Sequence, residues 1–180
     1  MERVFPVLSA GAPGVRSSRR IHGINTVRDE DAWSLRRRAD GIARSSWMPD
    51  VHCPEREITS CDQSTCPFDR MCQWDTPAMT QYLARVRTGE WFDIPYGALV
   101  PEGIDHLLVA GRCISGTHMA QASYRIQQTC LSTGEAAGVA AARAVADNMT
   151  PAGLDTASLA HTLEARRDVE PAFRPGDLAL

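Results

Sequence analysis

Polar side chains are concentrated in one loop of the sequence, between a short apolar run and a stretch of helix formers. The apolar run is Leu107 to Ala110, Gly111 ends it, and the helix formers extend from about Gln127 to Asn148. The loop and the first helical turn contain Arg112, Cys113, Thr117, His118, Arg125 and Thr129. A connection between a strand and a helix usually takes 2 to 6 residues, whereas this one takes about 15. Loops of that length tend to be functional, and the free N–H groups of the helix that follows would suit an anion.

Two elements must hold this loop in place. The apolar run, with a turn signal at residues 101–103 in front of it and Gly111 behind it, predicts a short buried strand. The next stretch predicts a helix that ends at Asn148 and Pro151. One row of this helix has small residues only: Gly134, Gly138 and Ala141. That row lets the helix backbone approach a neighbouring element closely. The alternative is an ordinary strand and helix in which small residues only permit tight packing and form no site.

A set of motifs in this region resembles a known family. The residues are Ile94 to Pro101, Leu107 to Ser115, Thr117-His118, Ala122-Ser123, Arg125, Thr129-Cys130 and Gly134-x-Ala136-Ala137-Gly138. They resemble the C-terminal end of FAD-dependent oxidoreductases of glutathione-reductase-like fold. A second, shorter resemblance covers residues 14–23, which look like the family's arginine-rich strand, and the later Asp50-Val51-His52.

The resemblance implies FAD as the cofactor. In that family the strand, loop and helix close the flavin site, because the glycine after the strand admits the cofactor and the helix N-terminus faces the flavin ring and ribityl chain. Tyr96 would then either cover the cofactor or fill the core. The resemblance implies cofactor contacts from Ala110, Gly111, Arg112, Cys113, Thr129, Cys130 and Gly134.

The same resemblance implies two candidate catalytic residues. The strands that carry Arg16, Arg19 and Arg20 would belong to a substrate domain that approaches the flavin. Our candidate there, Arg19, would bind an anionic substrate or hold negative charge on reduced flavin. His52, two residues from Asp50, would transfer a proton beside the flavin. The alternatives are arginines that lie on a sheet surface and a histidine with a structural hydrogen bond.

No G-x-G-x-x-G turn occurs in these 180 residues. Flavoproteins of this class use those glycines to admit the FAD pyrophosphate. We therefore expect a mixed α/β (α+β) chain that is the C-terminal portion of a two-domain, Rossmann-like flavoprotein and lacks the N-terminal dinucleotide-binding βαβ unit. The expected division is 1–92 for a remnant of the substrate domain, 93–150 for the strand, loop and helix of the FAD-binding domain, and 151–180 for a helix and flexible tail.

A cysteine-rich insertion occupies residues 53–76 of the expected substrate domain. It holds Cys53, Cys61, Cys66 and Cys72. Only Cys61 and Cys66 come near the spacing of a zinc hairpin. We favour free thiols over a zinc site or a disulfide, and expect no bound metal.

Four other segments have predictable structure. Val15 to Val27 predicts two short strands around a glycine, and Asp29 to Arg44 predicts a helix whose first residue caps it. Trp47 to His52 predicts an extended segment. Asp155 to Arg167 predicts an amphipathic helix with a cap at its first or second residue.

Composition excludes several classes of function. The chain is 43% hydrophobic and 23% charged with a net charge of -3, so it lacks the basic excess that favours nucleic acid. No apolar run approaches the roughly 18 residues of a membrane span, and residues 1–20 lack the uninterrupted apolar stretch that a signal peptide has. We expect no membrane partner and a cytoplasmic location.

The sequence therefore predicts the C-terminal fragment or a subunit of an FAD-dependent oxidoreductase. A small-molecule substrate and a separate or upstream N-terminal FAD-binding half would be its partners. The alternative is a non-catalytic remnant or a cysteine-stabilised binding module.

Overall fold

A small antiparallel sheet and a set of helices around it make up the part of the chain that the computed structural model describes, residues 17, 19–50 and 77–167. The helices are α1 (Asp29–Ser34), α2 (Pro77–Arg87), α3 (His118–Tyr124), α4 (Gln127–Ala146) and α5 (Thr156–Arg167). The strands are β1 (Gly41–Ser45) and β2 (Phe92–Pro95), and short 3-10 turns span Tyr96–Ala98, Gly111–Cys113 and Pro151–Gly153. The predicted mixed α/β class is confirmed. The cysteine-rich insertion and His52 lie outside the described residues.

The predicted helix from Asp29 to Arg44 is wrong in its second half. The helix ends at Ser34 because Leu35 takes a left-handed conformation, with φ of 54°. Residues 41–45 then form β1, which pairs with β2 in the register Ala43 to Ile94 and Ser45 to Phe92. The local sequence of this short stretch is compatible with a helix, but pairing with a distant strand overrides that local preference.

Two buried carboxylates explain why the arginines between α1 and β1 leave the helix. Asp31, 1% exposed, accepts hydrogen bonds from the guanidinium groups of Arg36 and Arg38, each at 3.2 Å. Asp93, 5% exposed, accepts from the main-chain N–H of Arg38 at 2.8 Å and from Nε of Arg37 at 3.0 Å. Buried charges need such partners, so these bonds fix an irregular segment that propensity alone does not predict.

The strands predicted at Leu107 to Ala110 and at Val15 to Val27 are not formed in the described part of the chain. The first segment has no ladder partner there; its main-chain bond is from Val109 N–H to the Leu99 carbonyl at 2.8 Å, and Leu107 is 43% exposed. In the second, isolated bridges join Gly23 to Pro101 and Val27 to Gly116. A strand needs a continuous partner, and single bridges do not supply one.

The two C-terminal helices agree with the prediction. One face of α4 packs over β1 and is buried at Thr129, Thr133, Ala136, Ala140 and Ala144. The helix ends where expected, since Asn148 has φ of 50° and Pro151 follows it. Asp155 caps α5 through a bond from the Ala157 N–H at 3.1 Å, and Leu159 and Leu163 face the core. Among the described helices, none is long and apolar enough to cross a bilayer.

The three tyrosines of the chain are buried, so we expect the chain to unfold cooperatively at alkaline pH. Each hydroxyl donates to a main-chain carbonyl: Tyr82 to Trp47, Tyr96 to Pro151 and Tyr124 to Ile114. Burial raises the pKa of all three hydroxyls, and raises that of Tyr96 to about 12. A tyrosine whose pKa in the folded chain lies above its unfolded value of 10 stabilises the fold at pH values below 10. This contribution is lost as the pH rises from 10 toward 12.

We therefore expect tyrosinate absorbance to appear together with loss of helical circular dichroism as the pH rises above 10. Titration of the chain unfolded in urea over the same pH range supplies the absorbance change of the exposed tyrosines. Ionisation of one or more tyrosines with full helical signal would contradict the burial of their hydroxyls.

Candidate functional site

The polar loop rests on the first turns of α4 through a chain of hydrogen bonds. Its first part is the 3-10 turn Gly111–Cys113, where Gly111 has φ of 78°, a conformation that favours glycine. The N–H of Gly111 donates to the hydroxyl of Thr133 at 3.0 Å, and this hydroxyl donates to the Cys130 carbonyl at 2.9 Å. The structure therefore brings together the predicted residues at both ends of the loop: Ala110, Gly111, Arg112, Cys113, Thr129 and Cys130.

A short helix inside the loop was missing from the sequence prediction. The hydroxyl of Thr117 accepts the Ala120 N–H at 3.2 Å and so caps α3, which ends at Tyr124, three residues before α4 begins. A threonine before a polar run is a recognisable cap signal. Two residues, Arg125 and Ile126, therefore connect α3 to the start of α4.

A cleft of about 520 Å³ opens at the start of α4. It is lined by Trp47, Asp50, Arg112, Ala122, Arg125, Ile126, Gln127 and Gln128. The N-cap residue of α4 is Ile126, whose apolar side chain makes no capping hydrogen bond. Uncapped N–H groups and the helix dipole make this end electropositive.

The walls of the cleft are fixed by bonds between distant parts of the chain. Nη2 of Arg125 donates to the Asp50 carbonyl at 3.0 Å and lies 3.4 Å from Oδ2 of the same residue. The Asp50 N–H donates to the Ala122 carbonyl at 3.3 Å. The Trp47 carbonyl accepts from the hydroxyls of Ser123 and Tyr82, while 48% of Trp47 remains exposed. The segment 47–50 thus lies against α3 with its indole at the cleft.

A buried amide holds the other side of the loop. Gln121, 1% exposed, donates from Nε2 to the Arg112 carbonyl at 2.8 Å. Its Oε1 accepts from the Ser17 hydroxyl at 2.5 Å and from Arg20 at 3.0 Å. Nε of Arg20 also donates to the Gly116 carbonyl at 2.7 Å. This arginine of the predicted arginine-rich strand therefore orders the loop.

Two predicted site residues lie apart from this cluster, and a third, His52, is outside the described residues. Arg19 is exposed beside Arg20. Gly134 is exposed, and no described atom lies within 4 Å of where its Cβ would stand. The close neighbour expected along its row of small residues is therefore absent from the described part of the chain.

The sequence does not predict Trp47, Gln121 and Gln128 as site residues. It contains Asp50 and Arg125 within motifs of the family but predicts no catalytic or cofactor contact for either. Arg125 had a usable signal, since it stands two residues before the helix start that the sequence placed correctly. A buried glutamine and an exposed tryptophan have no comparable pattern, because their roles depend on contacts with distant segments.

The thiol of Cys130 is half-buried. Burial raises the pKa of Cys130, nearby Arg112 opposes this, and Cys113 adds to it. The hydroxyl of Thr129, in the same helical turn, is buried without a hydrogen-bond partner among the described residues. Those residues also contain no group of three or more histidine, cysteine or acidic side chains that could hold a metal ion.

Comparison with known proteins identifies the family. The sequence profile of FAD dependent oxidoreductases matches residues 1–163. The chain belongs to this family. No curated protein and no solved structure matches it. Membership implies an FAD cofactor and confirms the predicted family and cofactor, whereas the narrower glutathione-reductase-like type stays a prediction.

The residues at the start of α4 fit part of an FAD. A flavin ring accepts negative charge on its pyrimidine side when it is reduced, and an uncapped helix N-terminus beside Arg112 and Arg125 would stabilise such charge. The buried Thr129 hydroxyl has no hydrogen-bond partner among the residues that the structure describes, and it is the kind of polar group that a bound cofactor can satisfy.

Proposed function

We propose that the chain forms the flavin-ring and ribityl side of the FAD site in an oxidoreductase that acts on a small molecule. The observation that carries this proposal is the cleft at the uncapped start of α4, which two arginines line. FAD, when bound, would supply the exchange of a hydride with the substrate.

The chain's own contribution would be positioning and electrostatics. The N–H groups of the first turn of α4 would face negative charge, and Arg125 would add a guanidinium whose direction its bond to the Asp50 carbonyl fixes. Such fixed dipoles and charges need little reorganisation during a reaction, which is why they stabilise developing charge well. Gly111, at the loop's start, would let the backbone approach the cofactor.

Two further roles belong to this proposal. Asp50 lines the cleft, so His52, two residues further on, is the candidate for proton transfer beside the flavin. Arg19 is the candidate for binding an anionic substrate, since its neighbour Arg20 is committed to the loop. In this proposal residues 1–92 belong to the substrate domain and residues 93–150 to the FAD-binding domain.

The remaining part of the FAD site would come from a dinucleotide-binding half with a strand, a G-x-G-x-x-G turn and a helix. One exposed face of α4 has apolar or small residues at helical spacing: Leu131, Gly134, Gly138, Ala141 and Val145. Beside it, a cavity of about 600 Å³ separates the end of α4 from His106 and Leu108. The extended segment 107–110 has no ladder partner in the described residues. A strand beside this segment and a helix on this face would cover both.

The test is FAD retention with and without such a half. We expect the purified 180-residue chain to hold no stoichiometric FAD, because no G-x-G-x-x-G turn is present to bind the pyrophosphate. Co-expression with a family-type N-terminal half should give a complex with about one FAD per chain, measured by flavin absorbance after denaturation.

The control is the same N-terminal half expressed alone, which fixes how much FAD it binds without this chain. Stoichiometric FAD on the 180-residue chain by itself would contradict the need for a second half. A complex that binds no more FAD than the half alone would favour a non-catalytic remnant or a binding module.

A further inference from the structure

Two cysteines lie on segments that the structure holds against each other. Cys113 ends the 3-10 turn Gly111–Cys113 and is exposed, and Cys130 lies in the first turn of α4 and is half-buried. Both are free thiols. The family resemblance implies that both contact the cofactor, but the proposed function gives neither thiol a chemical role.

The distance between the two segments is short. A Cβ on Gly111 would stand 4.0 Å from Cβ of Cys130 and 3.9 Å from its sulfur. The bonds from Gly111 N–H to Thr133 and from Thr133 to the Cys130 carbonyl hold this contact. Cys113 follows Gly111 by two residues within the same tight turn, and it is near enough to Cys130 for the two thiols to interact electrostatically.

The two thiols also share an electrostatic environment. Charge on Cys113 affects the pKa of Cys130, and both thiols affect the buried hydroxyl of Tyr124. In the reduced state each sulfur donates to a separate main-chain carbonyl, Cys113 to Ala110 and Cys130 to Arg125, both at 3.5 Å. Sulfur hydrogen bonds of this length are weak, so rotation of either side chain has a low energetic cost.

We propose that Cys113 and Cys130 form a reversible dithiol–disulfide site, with a hydroperoxide as the oxidant. The exposed Cys113 thiolate attacks the peroxide: an S–O bond forms, the O–O bond breaks, and water or an alcohol leaves with the proton. Cys130 then loses its proton and attacks the Cys113 sulfur, so that the S–S bond forms, the S–O bond breaks and the leaving hydroxide takes up that proton as water. The two thiols lose two electrons and the peroxide gains them. A dithiol reductant reverses the reaction by exchange.

The division of roles follows from exposure. Cys113 is exposed to solvent, whereas Cys130 is half-buried in α4 and burial raises its pKa. Cys130 therefore resolves the oxidised Cys113 and does not react first. The resulting bond would join the loop covalently to the start of α4.

Peptide mapping of the whole chain tests this site directly. Trypsin cleaves after Arg112, Arg125 and Arg143, so peptides 113–125 and 126–143 each contain one cysteine and none of the cysteines at 53–72. After treatment with hydrogen peroxide and blocking of free thiols, mass spectrometry should find these two peptides joined. Dithiothreitol should separate them and restore both thiols.

Two variants and a second reagent complete the test. Cys113→Ser should leave Cys130 reduced at the peroxide concentration that joins the wild-type peptides, while Cys130→Ser should leave Cys113 to accumulate added oxygen. A short bifunctional thiol reagent should bridge the same two peptides in the reduced chain, without any oxidant.

Oxygen addition to wild-type Cys113 with no joined peptide, or pairing of Cys113 only with a cysteine at 53–72, would overturn the proposal. No outcome depends on FAD binding, so the result is separate from the proposed function.

Discussion

Replacing Gly116 by alanine is expected to destabilise the chain by about 1 to 3 kcal/mol through overpacking. A Cβ at this position would lie 2.4 Å from the hydroxyl oxygen of Tyr124 and 2.6 Å from its Cε1 atom. The ring cannot move aside easily, because Tyr124 is 1% exposed and its hydroxyl donates to the Ile114 carbonyl. Gly116 also accepts the Arg20 bond, so the loop at the candidate site would shift with it. The free energy of unfolding in urea measures the effect.

Gly138→Ala is the matched control for this substitution. Gly138 is exposed in α4, and no described atom lies within 4 Å of where its Cβ would stand. Alanine is the better helix former, so this variant should be more stable by up to about 1 kcal/mol.

A double substitution checks the cause of the Gly116 effect. If the clash with the ring is responsible, Gly116→Ala combined with Tyr124→Leu should cost less than the sum of the two single changes, by about 0.5 to 3 kcal/mol. Additive costs, or a neutral Gly116→Ala, would contradict the close contact between Gly116 and Tyr124.

The parts of the fold that the sequence predicts well are those with local signals. α4 begins at Gln127 as predicted, because small helix formers start there, and it stops near Asn148 and Pro151. α5 has its capping aspartate one residue before it. The signals for these elements lie within a few residues of the boundaries that they set.

The parts that failed depend on distant partners. The local sequence of β1 predicts a helix. The segment forms a strand because it pairs with β2, which lies about 50 residues further along the chain. The segment 107–110 reads as a buried strand, yet Leu107 is 43% exposed and has no ladder partner in the described ranges. Local apolar character predicts burial, but burial requires that a partner be present.

The candidate site divides in the same way. The loop residues from Ala110 to Cys113 and the start of α4 were placed together from motif order, since consecutive elements position them. Gln121 and Trp47 act through contacts that span long stretches of sequence, such as the bond from Ser17 to Gln121 and the bond from Tyr82 to the Trp47 carbonyl. No spacing rule predicts these contacts from a single sequence.

Gly134→Leu should have opposite effects on the isolated chain and on the complete flavoprotein, and this contrast tests whether the exposed face of α4 is a docking surface. In the isolated chain Gly134 faces open space among the described residues, so a leucine there should stabilise α4 by up to about 1 kcal/mol. If the dinucleotide-binding half packs on Leu131, Gly134 and Gly138, the same side chain must enter a close helix contact. Overpacking there should cost about 1 to 3 kcal/mol.

The measurements are urea unfolding of the isolated chain, and complex formation and FAD content with the N-terminal half present. Val139→Leu is the control, because Val139 packs against the core on another face of α4 and should leave the FAD content of the complex almost unchanged. A Gly134→Leu complex with full FAD content would place the second half elsewhere on this chain. A destabilised isolated Gly134→Leu chain would instead show that residues of the chain itself already cover this face of α4.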